Sequence, residues 1–260
     1  MGILNVTPDS FADGGAHFSL ELALSRARQM VEEGADLIDV GGESTRPGSQ
    51  GVSLQQELDR VIPVIEAICA ELPIPVSVDT SKPQVMRDSV AAGAGLINDV
   101  MALRQPGALQ AARDLGVPVC LMHMLGEPRS MQKQPAYQDV VAEVRGFLEE
   151  RVNACEEAGI PRENLLLDPG FGFGKNLDHN LRLLKNLRTI ADIGLPLLVG
   201  ISRKSMIGKI LDDRPVEGRL FGSLATVTLA LERGAAIVRV HDVAATADVL
   251  RVSAAVLAVD

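Results

Sequence analysis

Eight short apolar runs alternate with eight amphipathic stretches along the 260 residues. That alternation predicts an α/β protein, a single-domain (β/α)₈ TIM barrel. Two further observations agree. The apolar runs are continuous rather than alternating, as in parallel strands buried on both faces. Hydrophobic residues make up 47% of the chain, yet aromatics only 3%, with no Trp. The core must therefore be aliphatic, the filling expected of strands wrapped by helices. A doubly wound open sheet competes but would more often have fewer strands. No proline- or serine-rich linker divides the chain.

In order, the strands are expected at Ile3–Val6, Leu37–Val40, Val76–Asp79, Leu96–Asn98, Val117–Met122, Leu165–Asp168, Leu197–Ile201 and Ile237–Val240. Helices are expected near Leu20–Glu33, Leu54–Glu71, Pro83–Ala92, Gly107–Leu115, Val140–Ala158, Leu177–Ile193, Glu217–Arg233 and Ala244–Ala258. Gly34, Gly93, Gly116, Gly159 and Gly234 follow helices at the position where the left-handed conformation favours glycine. Ser81-Lys82-Pro83-Gln84 reads as a helix start with a capping box. The long irregular stretches Thr7–Ser19, Gly41–Ser53 and Gly126–Gln138 all follow strands, on the side where a barrel carries its active site.

The net charge is −9, with 25 basic and 34 acidic residues and no Lys/Arg run. This argues against nucleic acid as a partner. Cys69, Cys120 and Cys155 are scattered, without a CxxC, and read as packing thiols in a reducing compartment. No leader and no membrane span is visible, so a cytoplasmic location is expected.

In a barrel, alternate side chains point inward and the last ones line the mouth. Ile3 and Asn5 share a face, as do Ser77 and Asp79, Leu96 and Asn98, and Leu166 and Asp168. Gly200, Ser202 and Lys204 share parity, as do Ile237, Arg239 and His241. Six strands thus end by turning a polar residue to one space. Each case alone has a bland explanation, such as a turn former or a helix cap; six on one face point to a site. Asp79, Asn98 and Asp168 offer acceptors suited to a flat heterocycle with ring N–H and amine groups. Arg203, Lys204, Arg239 and His241 suit a phosphorylated anion. Asn5, Asp9 and Asp13 are oxygen ligands of the kind that hold Mg²⁺ beside a pyrophosphate.

Other readings fail on spacing. Gly170-Phe171-Gly172-Phe173-Gly174-Lys175 is not a phosphate loop: three residues separate Gly170 from Gly174, and Asn176 follows the lysine. No dinucleotide fingerprint or zinc cluster is present. Ser202 with His241 could form a nucleophile and base on paper, but no GxSxG elbow supports it.

These residues also carry a resemblance. Asn5-Val6-Thr7-Pro8-Asp9-Ser10-Phe11 with Asp13-Gly14-Gly15, and Asp39-Val40-Gly41-Gly42-Glu43-Ser44-Thr45-Arg46-Pro47-Gly48, are similar to the two signatures of dihydropteroate synthases. Ser77-Val78-Asp79-Thr80, Ile97-Asn98-Asp99, Leu167-Asp168-Pro169-Gly170, Ser202-Arg203-Lys204-Ser205 and Arg239-Val240-His241-Asp242 extend the match over nearly the whole chain. The resemblance implies one pterin-binding barrel over residues 1–260, without the segment that usually precedes the first strand. It implies the union of p-aminobenzoate with 6-hydroxymethyl-7,8-dihydropterin diphosphate in folate synthesis, with sulfonamides as inhibitors.

By motif, the resemblance assigns catalytic roles to Asp13, Asp79, Lys204 and Arg239. It assigns the pterin to Asp79, Asn98, Asp168, Lys204 and Arg239. The diphosphate falls to Asn5, Arg239 and His241, with Asn5 toward Mg²⁺. Thr45, Arg46, Pro47, Met122, Phe173 and Ser205 fall to p-aminobenzoate, and Phe11 and Asp13 to a mobile loop. The partners implied are these small molecules and a second copy of the chain, packed through C-terminal helices. Ala12 departs from the Ser frequent in the family. Two alternatives stand beside this reading. A methyltetrahydrofolate-dependent methyltransferase should lack the Ser-Thr-Arg-Pro and Arg-Val-His motifs. A non-catalytic pterin-binding paralogue should have lost loop residues such as Asp13 or Arg46.

Overall fold

The structure is a computed structural model that describes residues 1–7, 16–44, 49, 51–126, 131–132 and 134–259. Eight parallel strands form the frame: β1 (Gly2–Asn5), β2 (Ile38–Gly41), β3 (Val76–Asp79), β4 (Leu96–Asp99), β5 (Val119–Met122), β6 (Leu165–Asp168), β7 (Leu198–Val199) and β8 (Ile237–Val238). The first six pair in chain order, and β7 pairs with β8. Bridges Leu167–Leu197 and Gly2–Val240 join the two sets, so the ring closes as a barrel. Across the closing seam Ile3 N–H donates to the Val240 carbonyl at 2.9 Å, and Val240 N–H to that of Met1 at 3.0 Å.

Helices follow the strands: α1 (Ala16–Glu32), α2 (Leu54–Glu71), α3 (Pro83–Ala91), α4 (Ala108–Leu115), α5 (Val140–Glu157), α6 (Leu177–Lys185), α7 (Leu187–Ala191), α8 (Ser205–Ile210), α9 (Leu220–Glu232) and α10 (Val243–Leu257). The expected helix Leu177–Ile193 is two, because Asn186 leaves helical geometry between α6 and α7. Helix α8 was not anticipated; at six residues it is too short for a periodic signal.

The helix start at Ser81 differs from expectation. Lys82 is the cap residue, with no side-chain cap bond, and the Ser81 hydroxyl instead bonds Asp99. Capping boxes occur at Ser53/Gln56 and Asn176/His179. The cysteines are unpaired, as expected. No helix among the described residues is long and apolar enough to cross a membrane.

The main core lies between the strands and the helix ring, and is aliphatic apart from Phe171. A second cluster, Met1, Leu96, Cys120 and Leu198 with Leu37, Leu166 and Ile237, plugs the barrel interior at the strands' N-terminal ends. It divides the interior into an apolar floor and a polar mouth.

Candidate active site

Strand register sets one side of the mouth. Asn5 aligns with Gly41, Gly41 with Asp79, and Asp79 with Asn98. One row across four strands therefore carries amide, gap, carboxylate and amide. The gap matters: a Cβ on Gly41 would lie 3.5 Å from the Asp79 Cβ and 3.8 Å from Asn5 Oδ1. Gly41 thus leaves open the space that Asn5 and Asp79 flank.

One layer deeper sits Asp39, fully buried. Its Oδ2 accepts from Arg239 Nε at 2.6 Å and Asn98 Nδ2 at 3.1 Å. Arg239 Nη2 donates to Asp79 Oδ2 at 2.9 Å. The guanidinium therefore bridges two carboxylates. Burial opposes its charge, but Asp39 and Asp79 outweigh burial and hold it above its ordinary pKa. Burial pushes the Asp79 carboxyl up to about 7, against the pull of Arg239. Asp39 Oδ1 is buried without a partner among the described residues.

The other side is built on Asp168 and the loop behind it. Asp168 aligns with Met122 across β5 and β6. Its Oδ1 accepts the Gly170 N–H at 2.7 Å. Burial raises its pKa, with Lys204 and that N–H opposing. Lys204 Nζ bonds the Phe171 carbonyl and lies 4.5 Å from the Phe173 ring centroid. Burial lowers the Lys204 pKa to about 8, with Asp168 resisting. Met122 and Phe173 share a small apolar cluster with Val100, Met124 and Met131.

The 170–174 loop is pinned on several sides. Phe171 is fully buried. Tyr137 Oη donates to the Gly174 carbonyl at 2.9 Å, and the Gly172 N–H donates to Asn180 Oδ1 at 2.7 Å. Gly170 has φ +67°, and a Cβ there would collide with the His123 carbonyl, so only glycine fits.

Parity reasoning holds on β1, β3, β4 and β6 but stops at β7 and β8, which are two residues each. After Gly200 the chain turns, and Arg203 has φ +57°. Lys204 reaches the mouth from the start of α8, not by strand alternation. Arg203 leaves the anion set: its guanidinium pairs with Asp242 through Nε at 2.9 Å and through Nη2. Ser202 and His241 do meet, with Oγ 3.0 Å from Nδ1. The same Oγ accepts the His241 N–H at 3.2 Å, so the hydroxyl fixes the ring where it stands. Ser205 is exposed at the first residue of α8. Phe11, Asp13, Thr45, Arg46 and Pro47, like Asp9, lie outside the described residues.

Beside Asp79 opens a cavity of ≈ 440 Å³, bordered by Glu43, Glu57, Thr80, Lys82 and Met101 among others. Lys82 bonds both Glu43 and Glu57, tying the chain just after β2 to α2.

A mouth of carboxylates, two amides and two cations over an apolar floor fits a polar flat ring with an anionic tail. Comparison with known proteins decides the family. The family model for "Pterin binding enzyme" matches residues 1–241. The dihydropteroate synthase of Escherichia coli (strain K12) is 57% identical over 257 residues, covering 99% of this chain and 91% of the relative. The chain belongs to the pterin-binding enzymes, among the dihydropteroate synthases. Solved structures agree. The Xanthomonas albilineans synthase with 4-aminobenzoic acid superposes with a TM-score of 0.95 at 56% identity, covering 100% of this chain and 93% of that one. The same enzyme with 7,8-dihydropteroate gives 0.91 at 54%, covering 100% and 94%. The Yersinia pestis synthase with a sulfonamide drug complex gives 0.95 at 52%, again covering 100% and 94%. These likenesses establish the TIM-barrel fold, of which the six- and two-stranded sheets are the two arcs.

Proposed function

We infer that the mouth of this barrel joins p-aminobenzoate to 6-hydroxymethyl-7,8-dihydropterin diphosphate. The chain is a transferase of folate biosynthesis, with the activity of its family and sulfonamides as its inhibitors. The observation that carries the residue assignment is convergence: Asp79, Asn98 and Asp168 share one mouth with Lys204 and Arg239.

Asp79, Asn98 and Asp168 accept from, or in the case of Asn98 also donate to, the pterin ring. Arg239 and Lys204 border the ring, and Arg239, Asn5 and His241 hold the diphosphate. The C–O bond from the pterin methylene to the diphosphate breaks, and its electron pair leaves with pyrophosphate. The arylamine lone pair then forms the C–N bond, and the amine proton passes to solvent. Cations at the diphosphate stabilise the departing charge, and carboxylates around the ring stabilise the positive charge left behind. Met122, Phe173 and Ser205, with Thr45, Arg46 and Pro47, receive p-aminobenzoate. Asp13 and Phe11 complete the reacting centre from the first loop.

Among the described residues no group of three His, Cys, Asp or Glu could hold a metal alone. Mg²⁺ takes few protein ligands beside a polyphosphate, and the space over Gly41 next to Asn5 Oδ1 suits it. Bound there, it would neutralise charge on the leaving pyrophosphate.

A homodimer through the C-terminal helices belongs to the same reading. The small residues Ser223, Thr226 and Ala230 of α9 face their own barrel. Apolar side chains of α9 and α10 also point outward: Phe221 is 79% exposed and Val252 and Val256 67% each. A patch of that kind marks an interaction surface. A cytoplasmic location accords with the free thiols.

The deciding assay is pyrophosphate release from the pterin diphosphate with Mg²⁺, with and without p-aminobenzoate. Release that depends on p-aminobenzoate, with dihydropteroate formed, is the expected outcome. Folded protein that makes none would sink the reading.

A further inference from the structure

We propose that Lys175 is a positioning residue for the p-aminobenzoate side of the site. Its buried amino group ties the 170–174 loop to the end of β5, so that Phe173 keeps its place beside Met122. The proposal rests on the synthase reading of Phe173.

Lys175 is the lysine left over once the phosphate-loop reading fails. It is buried. Its Nζ lies 2.8 Å from His123 Nδ1, 2.9 Å from the Gly170 carbonyl and 3.1 Å from the Phe173 carbonyl. An amino group thus meets three polar atoms at the interior centre of the loop. An ammonium donates to all three. A neutral amine donates to the two carbonyls and accepts from His123 Nδ1–H. Both forms hold the same geometry, and burial disfavours charge on Lys175 and His123 alike.

The anchor itself is firm. The His123 N–H donates to the Asp168 carbonyl at 2.9 Å, and the His123 ring meets Phe147 edge-on at 4.9 Å between centroids. The loop leaves the barrel at Asp168, curls through Gly170, Gly172 and Gly174, all at positive φ, and is tied back beside its origin. Among the described residues the Gly170 carbonyl also accepts the Phe173 N–H at 3.1 Å, whereas the Phe173 carbonyl accepts from Lys175. Removing the amino group leaves the Phe173 carbonyl without that donor and an imidazole facing a void. The part of the loop that shifts is then Phe173, which loses its place beside Met122, while the buried Phe171 keeps its carbonyl on Lys204. Asp79 on β3, Asn98 on β4 and Arg239 just after β8 keep their own network.

The test is steady-state kinetics with Lys175→Met and Lys175→Gln, together with calorimetry of a non-reacting pterin. A misplacement of this kind is expected to raise KM for p-aminobenzoate about tenfold in K175M while pterin affinity stays within about twofold. K175Q, whose amide can still donate to both carbonyls, recovers part of the loss. A merely structural lysine would lower the melting temperature without separating the two substrates. Unchanged KM in folded K175M overturns the proposal, and so does an equal loss for pterin and p-aminobenzoate. If neither variant folds, hydrogen exchange on the unmodified protein decides. Slow exchange at the Gly172 and Phe173 amides supports the tie, and exchange as fast as unbonded surface amides overturns it. Absence of dihydropteroate from the unmodified protein is a separate result, and it removes the synthase reading instead.

Discussion

The two sides of the mouth balance their charges by different means. On the Asp79 side, charge meets charge: Asp39 and Asp79 are bridged by Arg239, with Asn98 completing the set. On the Asp168 side, charge also meets backbone: the Gly170 N–H points at the carboxylate and the Phe171 carbonyl at Lys204. The first arrangement comes from strand register and the second from a loop. A side-chain ion network fails abruptly when one member is removed, because a buried charge is left alone. A backbone-supported charge loses less, since the peptide groups stay.

The largest effect is therefore expected at Arg239. Arg239→Ala strands Asp39 and Asp79, a loss of about 3–5 kcal/mol in chemical denaturation. It should also weaken a pterin diphosphate more than an uncharged pterin in calorimetry. Equal losses for the two ligands would contradict the diphosphate assignment.

The same network makes a pH prediction. The folded Asp79 carboxyl holds its proton up to about pH 7, with an ordinary value of 3.8 when unfolded. Between roughly pH 4 and 7 the folded state therefore binds more protons than the unfolded chain, so this group makes stability fall as pH rises through that window. Asp79→Asn removes the slope. The difference between variant and parent stability should grow toward neutral pH by a few kcal/mol, at about 1.4 for each tenfold in proton affinity. Parallel stability curves from pH 4 to 7 would refute this.

Next in size is Asp168→Asn. The amide keeps an oxygen for the Gly170 N–H, so folding should change little. Pterin affinity loses a charge-assisted acceptor, about 1.5–3 kcal/mol. Unchanged calorimetric affinity would remove Asp168 from the pterin contacts.

What was readable in the sequence divides along the same line. Register is local and periodic, so Asn5, Asp79, Asn98 and Asp168 could be placed at a common rim from alternation alone. Asp39 was missed as a site member because its strand reads as an apolar run interrupted by one charge, and only the ring closure brings Arg239, 200 residues away, against it. The tie of Lys175 to His123 spans 52 residues and has no periodic signature. Arg203 enters the anion set on its charge alone, and its positive φ swings the side chain to Asp242 instead. Helix ends were misread where a side chain had a better tertiary partner, as Ser81 has in Asp99.

The smallest expected effect tests the loop side most finely. Phe173 lies beneath Lys204 with its ring centroid 4.5 Å from Nζ. A cation over an aromatic face gains about 0.5–1 kcal/mol where solvent still reaches it. Phe173→Leu keeps an apolar contact with Met122 and removes that attraction, while the Phe171 carbonyl still holds Nζ. KM for p-aminobenzoate should rise only a few-fold, about the 1 kcal/mol equivalent, with pterin affinity unchanged. A loss as large as that expected of K175M would mean that the aromatic ring itself, and not the placement of the loop, carries the p-aminobenzoate contact. No change at all would leave the carbonyl as the sole support and place the ring outside the p-aminobenzoate contacts.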